Sequence, residues 1–84
     1  MKLTLLTKPS CSLCDAMREV VARVGEDYDL EVAERDVMAD DGLVHLEYAV
    51  PLLMADGLPL FRFRVSEAAL GRVLEERGCP RRHD

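Results

Sequence analysis

Cys11-Ser12-Leu13-Cys14 places two thiols three positions apart. That spacing suits reversible closure of an intramolecular disulfide and exchange with disulfides elsewhere. The thiolate is the attacking species, so the surroundings of the pair decide whether it reacts. Leu13, Met17, Val20, Val21 and Val24 recur at helical spacing and predict a helix over Ser12 to Val24. Cys11 then lies at the helix mouth, where unpaired backbone N–H groups and the positive end of the dipole stabilise a thiolate and lower its pKa. Lys8 adds a cation nearby, while Asp15 and Glu19 oppose it. Ser12 and Asp15 have the spacing of a capping box. Cys11, at the exposed end, is the expected nucleophile, and Cys14, one turn inside, the resolving thiol.

A strand must deliver the chain to that point. Lys2 to Leu6 is a short apolar run compatible with a buried strand, and Thr7-Lys8-Pro9-Ser10 breaks it. Eighty-four residues make one small domain, and 49% hydrophobic content supports a core that needs no disulfide staples. Three cysteines are a poor basis for a secreted disulfide framework. In a reducing compartment a close pair is more often catalytic or metal-binding. There is no signal-like N-terminus and no apolar run near the ~20 residues a membrane span needs, so a soluble, cytoplasmic monomer is expected. A net charge of −5 argues against a nucleic-acid partner.

Gly25 is a natural stop for the helix. Leu30 to Val37 alternates partly and is less apolar than the first strand, which suits a place nearer an edge. Leu43, Leu46 and Val50 give a weak helical pattern over Asp41 to Tyr48. Val50 to Ala55 is an apolar strand with Pro51 near its start. Asp56-Gly57 is a hairpin signal, and Leu60 to Val65 is expected to return antiparallel, with Phe61, Phe63 and Val65 on one face and Leu60, Arg62 and Arg64 on the other. Charges on that second face suit an edge strand. Ser66 caps a last helix whose stripe is Leu70, Val73 and Leu74, and Gly78 ends it. The domain is residues 1–78, and 79–84 is a patternless tail. The order strand, helix, strand, short helix, strand, strand, helix, with a crossover joining the first two strands, predicts an α/β fold with a four-stranded mixed sheet flanked by helices.

This order, Lys8-Pro9-Ser10-Cys11-Ser12-Leu13-Cys14 before a helix, and Val50-Pro51 opening the third strand together resemble the glutaredoxin branch of the thioredoxin fold. More narrowly, the chain resembles short bacterial glutaredoxin-like proteins with Cys-x-Leu-Cys. The resemblance spans about residues 2 to 77. It implies a thiol–disulfide oxidoreductase, a cis Pro51 lying against the dithiol, and a Val50 backbone exposed to pair with an extended substrate segment. It also implies that Lys8 contacts a substrate carboxylate. Arg64 and Ser66 stand where the family grips the γ-glutamyl end of glutathione. The chain departs from the pattern in having Ser12-Leu13 for Pro-Tyr, Ala49 for threonine, and Arg64-Val65-Ser66-Glu67 for Gly-Gly-x-Asp. These departures weaken the case for glutathione as substrate and leave it a candidate reductant.

The expected activity is reduction of protein or mixed disulfides through Cys11 and Cys14, with Lys8, Val50, Pro51, Arg64 and Ser66 binding substrate. No metal or organic cofactor is required. The partner is a disulfide-bearing protein or a small thiol. The alternative is a non-catalytic binding module whose pair holds zinc, an iron–sulfur cluster or a partner protein. Cys79 and His83 would supply a second zinc half-site. Cys79 otherwise reads as a half-buried residue at the helix end, and His45 as surface or packing with no role.

Overall fold

The computed structural model describes residues 1–82. Strand β1 (Lys2–Thr7) leads through a turn into helix α1 (Ser12–Val24), and strand β2 (Glu31–Asp36) follows. Two single 3-10 turns, Val37–Ala39 and Val44–Leu46, precede β3 (Leu52–Ala55), β4 (Leu58–Arg62) and helix α2 (Glu67–Glu76). The sheet order is β2-β1-β3-β4. β1 is parallel to β2 and antiparallel to β3, which pairs antiparallel with β4. The mixed sheet expected from the sequence is therefore present, with β2 at one edge as its weak alternation suggested.

Side-chain alternation along β1 divides the core between the two sheet faces. Leu3 and Leu5, with Leu53 and Ala55 of β3, pack beneath Met17, Val21 and Val24 of α1 and Leu70 and Leu74 of α2. Leu6 and Leu52 point the other way and form a smaller cluster with Cys14, Val37 and Val50, partly covered by Leu43 and Leu46. Both helices lie on the first face because their buried residues recur one turn apart: Met17, Val21 and Val24 in α1, Leu70 and Leu74 in α2, with Cys14 at the start of α1 packing into the smaller cluster.

The structure corrects several local expectations. The helix expected over 41–48 is only the 3-10 turn Val44–Leu46, preceded by a turn in which Asp40 accepts from the Gly42 amide through its carboxylate. The apolar pattern there is too short to propagate an α-helix. Asp56 and Gly57 both take positive φ, 53° and 78°, so the hairpin loop is two residues long and β4 begins at Leu58 rather than Leu60. A register shift between Leu53 and Met54 inserts one extra residue into β4, and the strand ends at Arg62. The expected alternation over 60–65 is therefore broken, and Phe63 lies outside the strand with φ 71°.

Ser66 caps α2 as expected, its Oγ accepting from the Ala69 amide at 3.0 Å. Gly78 takes φ 73° just past the helix end, a conformation that glycine reaches without Cβ strain. The segment beyond it is docked where a patternless tail was expected. Cys79 is buried in the larger cluster, and Pro80 O accepts from the Asp29 amide at 2.8 Å. Arg81 pairs with Tyr28 in an isolated β-bridge, and Arg82 donates to Gly25 O at 2.7 Å. The Tyr28 hydroxyl donates to Glu75 at 2.7 Å, and this bond to a carboxylate holds its pKa above the ordinary value. His83 and Asp84 lie outside the described residues, and with them half of the suggested Cys79/His83 metal site. Among the described residues no helix is long and apolar enough to cross a membrane.

Candidate active site around the dithiol

β1 ends at Thr7, and the turn through Ser10, whose φ is 57°, brings Cys11 to the start of α1 in extended conformation (φ −120°, ψ 104°). Those dihedrals make Cys11 the N-cap. Its Sγ accepts from the Cys14 amide at 3.1 Å, and its carbonyl accepts from the Asp15 amide at 3.1 Å. A sulfur thus occupies the place usually taken by a capping hydroxyl or carboxylate. The Ser12/Asp15 capping box is not formed, because Ser12 is already the first helical residue and the Asp15 carboxylate turns to Arg18 Nη1 at 2.7 Å.

Cys11 and Cys14 are joined as a disulfide, with Cα atoms 5.2 Å apart, inside the range that bond requires. The two sulfurs differ in access. Cys14 is 0% exposed, whereas Cys11 is only partly covered. The helix twist accounts for this, since Cys14 begins the buried stripe of α1 and the cap lies outside it.

The residues nominated from the sequence are placed as follows. Val50 packs in the same cluster as Cys14, and the Val50–Pro51 peptide bond is cis. Pro51 is fully buried, and its carbonyl accepts from the Phe63 amide at 2.8 Å. Among the described residues the Val50 amide and carbonyl make no hydrogen bond. Lys8 Nζ stands 5.0 Å from the centroid of the Tyr48 ring, which is 82% exposed. Arg64 is exposed and lines a small groove with Leu13, Phe63 and Val65. The Ser66 hydroxyl oxygen is engaged in capping α2. Cys11, Cys14 and Val50 thus share one cluster, Arg64 lies outside it in a groove it lines with Leu13, and Lys8 is turned toward Tyr48. Cys79 belongs to the larger cluster, whereas the pair belongs to the smaller one. Among the described residues no three His, Cys, Asp or Glu side chains converge as a metal site would need.

Sequence reasoning missed a polar network directly behind the dithiol. Arg18, one turn beyond Cys14, donates from Nε and Nη2 to the two Glu34 oxygens, both at 2.7 Å. Buried Thr7 donates its hydroxyl to Glu34 at 3.2 Å. The network ties the cysteine-bearing turn of α1 to β2 and to the end of β1. Arg18 holds the Glu34 carboxyl below its usual range, and both carboxylates hold the guanidinium more firmly protonated. The Asp15–Arg18 half is visible at i,i+3 spacing. Glu34 joins only through the β1/β2 register, in which it pairs with Leu5.

The sequence profile of the Glutaredoxin-like domain (DUF836) matches residues 2–75. A search of curated proteins finds no match. Among solved structures, the chain is similar to thioredoxin 1 from the thermophilic eubacterium Thermosipho africanus TCF52B, with a TM-score of 0.62 at 20% identity, covering 93% of this chain and 99% of that one. That likeness shows a thioredoxin fold.

Proposed function

The chain belongs to the glutaredoxin-like domain family, and from that premise we propose that it is a thiol–disulfide oxidoreductase reducing protein or mixed disulfides through Cys11 and Cys14. The carrying observation is the asymmetry of the pair: Cys11 is a partly exposed residue whose sulfur accepts the Cys14 amide, while Cys14 is sealed one turn inside. A backbone amide donating to a sulfur favours a thiolate there once the disulfide is reduced, and the helix N-terminus adds to that effect.

In the forward reaction the Cys11 thiolate attacks one sulfur of the substrate disulfide. A mixed disulfide forms, and the other substrate sulfur leaves as a thiolate and takes a proton. Cys14, deprotonated, then attacks the Cys11 sulfur. The mixed disulfide breaks, the second substrate thiolate leaves, and the Cys11–Cys14 disulfide closes. Two electrons and two protons pass from the dithiol to the substrate, and an external thiol reductant, glutathione or a dithiol protein, returns them. The Val50 amide and carbonyl, unbonded among the described residues, are suited to main-chain pairing with an extended substrate segment. Lys8, Arg64 and the start of α2 at Ser66 complete the substrate side of this reading.

The test is reduction of insulin and of a peptide mixed disulfide by wild-type protein and by Cys11→Ser. Wild-type activity no higher than that of the variant would remove the proposal.

A further inference from the structure

Where the chain leaves β4 it turns sharply. Phe63 takes φ 71°, a region that bulky side chains seldom occupy, and its amide is held by Pro51 O at 2.8 Å. The turn sets Phe63, 39% exposed, together with Arg64 and Val65 against Leu13. Leu13 lies between the two cysteines in sequence, so the groove these residues line with Ala16 and Val20 runs along the first turns of the cysteine-bearing helix.

Its charge runs against that of the whole molecule. The chain carries a net −5, yet the only charged residues between Asp56 and Glu67 are Arg62 and Arg64. Arg62 lies over the Phe63 ring at 4.9 Å. Among the described residues neither arginine has a carboxylate within ion-pair distance. Of the acids on the adjoining surface, Glu67 is 3.8 Å from Arg23, and Glu19 lines with both a neighbouring groove that shares Ala16 and Val20 with this one, on the side away from Arg64. An apolar groove edged by Arg64, with Arg62 stacked on its Phe63 wall, therefore lies along Leu13, the residue between the two cysteines.

Resting on the exchange reading above, we infer that this trough selects the substrate. The occupant is an extended polypeptide segment whose disulfide cysteine is flanked by an apolar side chain, which lies between Leu13 and Phe63, and by an aspartate or glutamate that meets Arg64 and Arg62. A polypeptide fits better than a small dianion for two reasons. Both arginine side chains are exposed, and the neighbouring Ser66 oxygen is already engaged by Ala69. The free Val50 backbone offers main-chain pairing that a longer segment can use.

The experiment is single-turnover oxidation of the pre-reduced protein by two disulfide peptides that differ only in Glu or Gln beside an apolar residue and the cysteine. It compares wild type, Arg64→Gln, the Arg62→Gln/Arg64→Gln double variant and Lys2→Gln, with each variant's fold checked by circular dichroism. Lys2→Gln removes the same charge from the far end of β1, roughly 20 Å away at ~3.3 Å per residue. For wild type the Glu peptide should react about five-fold faster at low ionic strength, through tighter binding rather than a higher limiting rate. That ratio should fall toward one at high salt and in the double variant, and persist in Lys2→Gln. A wild-type ratio of one, a ratio retained without both arginines, or one lost equally in Lys2→Gln would overturn the inference while leaving the exchange reading intact. Oxidised glutathione reacting faster than the Glu peptide, with the same dependence on Arg64, would overturn the polypeptide assignment. If neither peptide oxidises the wild-type protein, the exchange reading falls and the inference with it.

Discussion

The Cys14 amide donates to the Cys11 sulfur at 3.1 Å, so one bond both caps helix α1 and points a backbone dipole at the proposed nucleophile. The cap and the chemistry share an atom. Cys11→Ser should therefore keep the helix, because serine is itself a good cap, while lowering disulfide reduction by roughly 100-fold or more. Cys14→Ser should leave attack possible and block resolution. Mass spectrometry after a disulfide challenge should find a stable adduct on Cys11 in Cys14→Ser and none in Cys11→Ser.

The bond between Arg18 and Glu34 gives the fold a pH dependence of known sign. Hydrogen bonding to Arg18 lowers the Glu34 pKa from 4.5 in the folded state. Folding then favours the ionised carboxylate, so the contribution is fully present above the unfolded pKa and is lost as pH falls through the folded one. Both side chains are more than a third exposed, and solvent screening keeps the effect small. Glu34→Gln should flatten the decline of the urea midpoint below about pH 4.5 without changing its value at pH 7 by more than a modest amount.

Leu53 is fully buried at the centre of the sheet, paired with Leu5 on one side and Phe61 on the other. Leu53→Ala should cost about 2–5 kcal/mol. That is a large share of the roughly 5–15 kcal/mol that holds such a domain together. Chemical denaturation would measure it, and a loss below about 1 kcal/mol would show that the site collapses around the smaller side chain.

Gly57 has φ 78° and nothing within 4 Å of where a Cβ would stand. Any penalty for Gly57→Ala is therefore conformational rather than steric, and should be about 1–2 kcal/mol in the same denaturation experiment. A neutral result would show that the hairpin changes turn type at no cost.

Residues Cys79–Arg82 are bound to the α1–β2 connection through Pro80 O, Arg81 and Arg82. Truncation after Gly78 removes a buried thiol and these hydrogen bonds together. It should lower the melting temperature by at least about 5 °C, as a loss of around 1 kcal/mol does in a domain of this size. An unchanged melting temperature would mean that this segment adds nothing to the fold.

What could be read in the sequence is what neighbours along the chain decide. The bounds of α1, the Ser66 cap, the Asp56-Gly57 turn and the Cys11/Cys14 pair all follow from side chains within about one turn of each other, where backbone geometry alone brings them together. Even there the cap slipped by one residue, because a half-cystine sulfur is not among the usual capping groups. The tertiary structure decided everything that needs two distant segments to meet. Glu34 reaches Arg18 only once β1 and β2 are in register, Phe63 reaches Leu13 only after β4 bulges and turns away, and Arg82 reaches Gly25 only once both helices have packed on one sheet face. Such contacts depend on how layers stack rather than on any spacing along the chain. The sequence therefore named the two sulfurs and set Cys11 at the helix mouth with Cys14 one turn inside, and the fold decided which distant side chains lie around them.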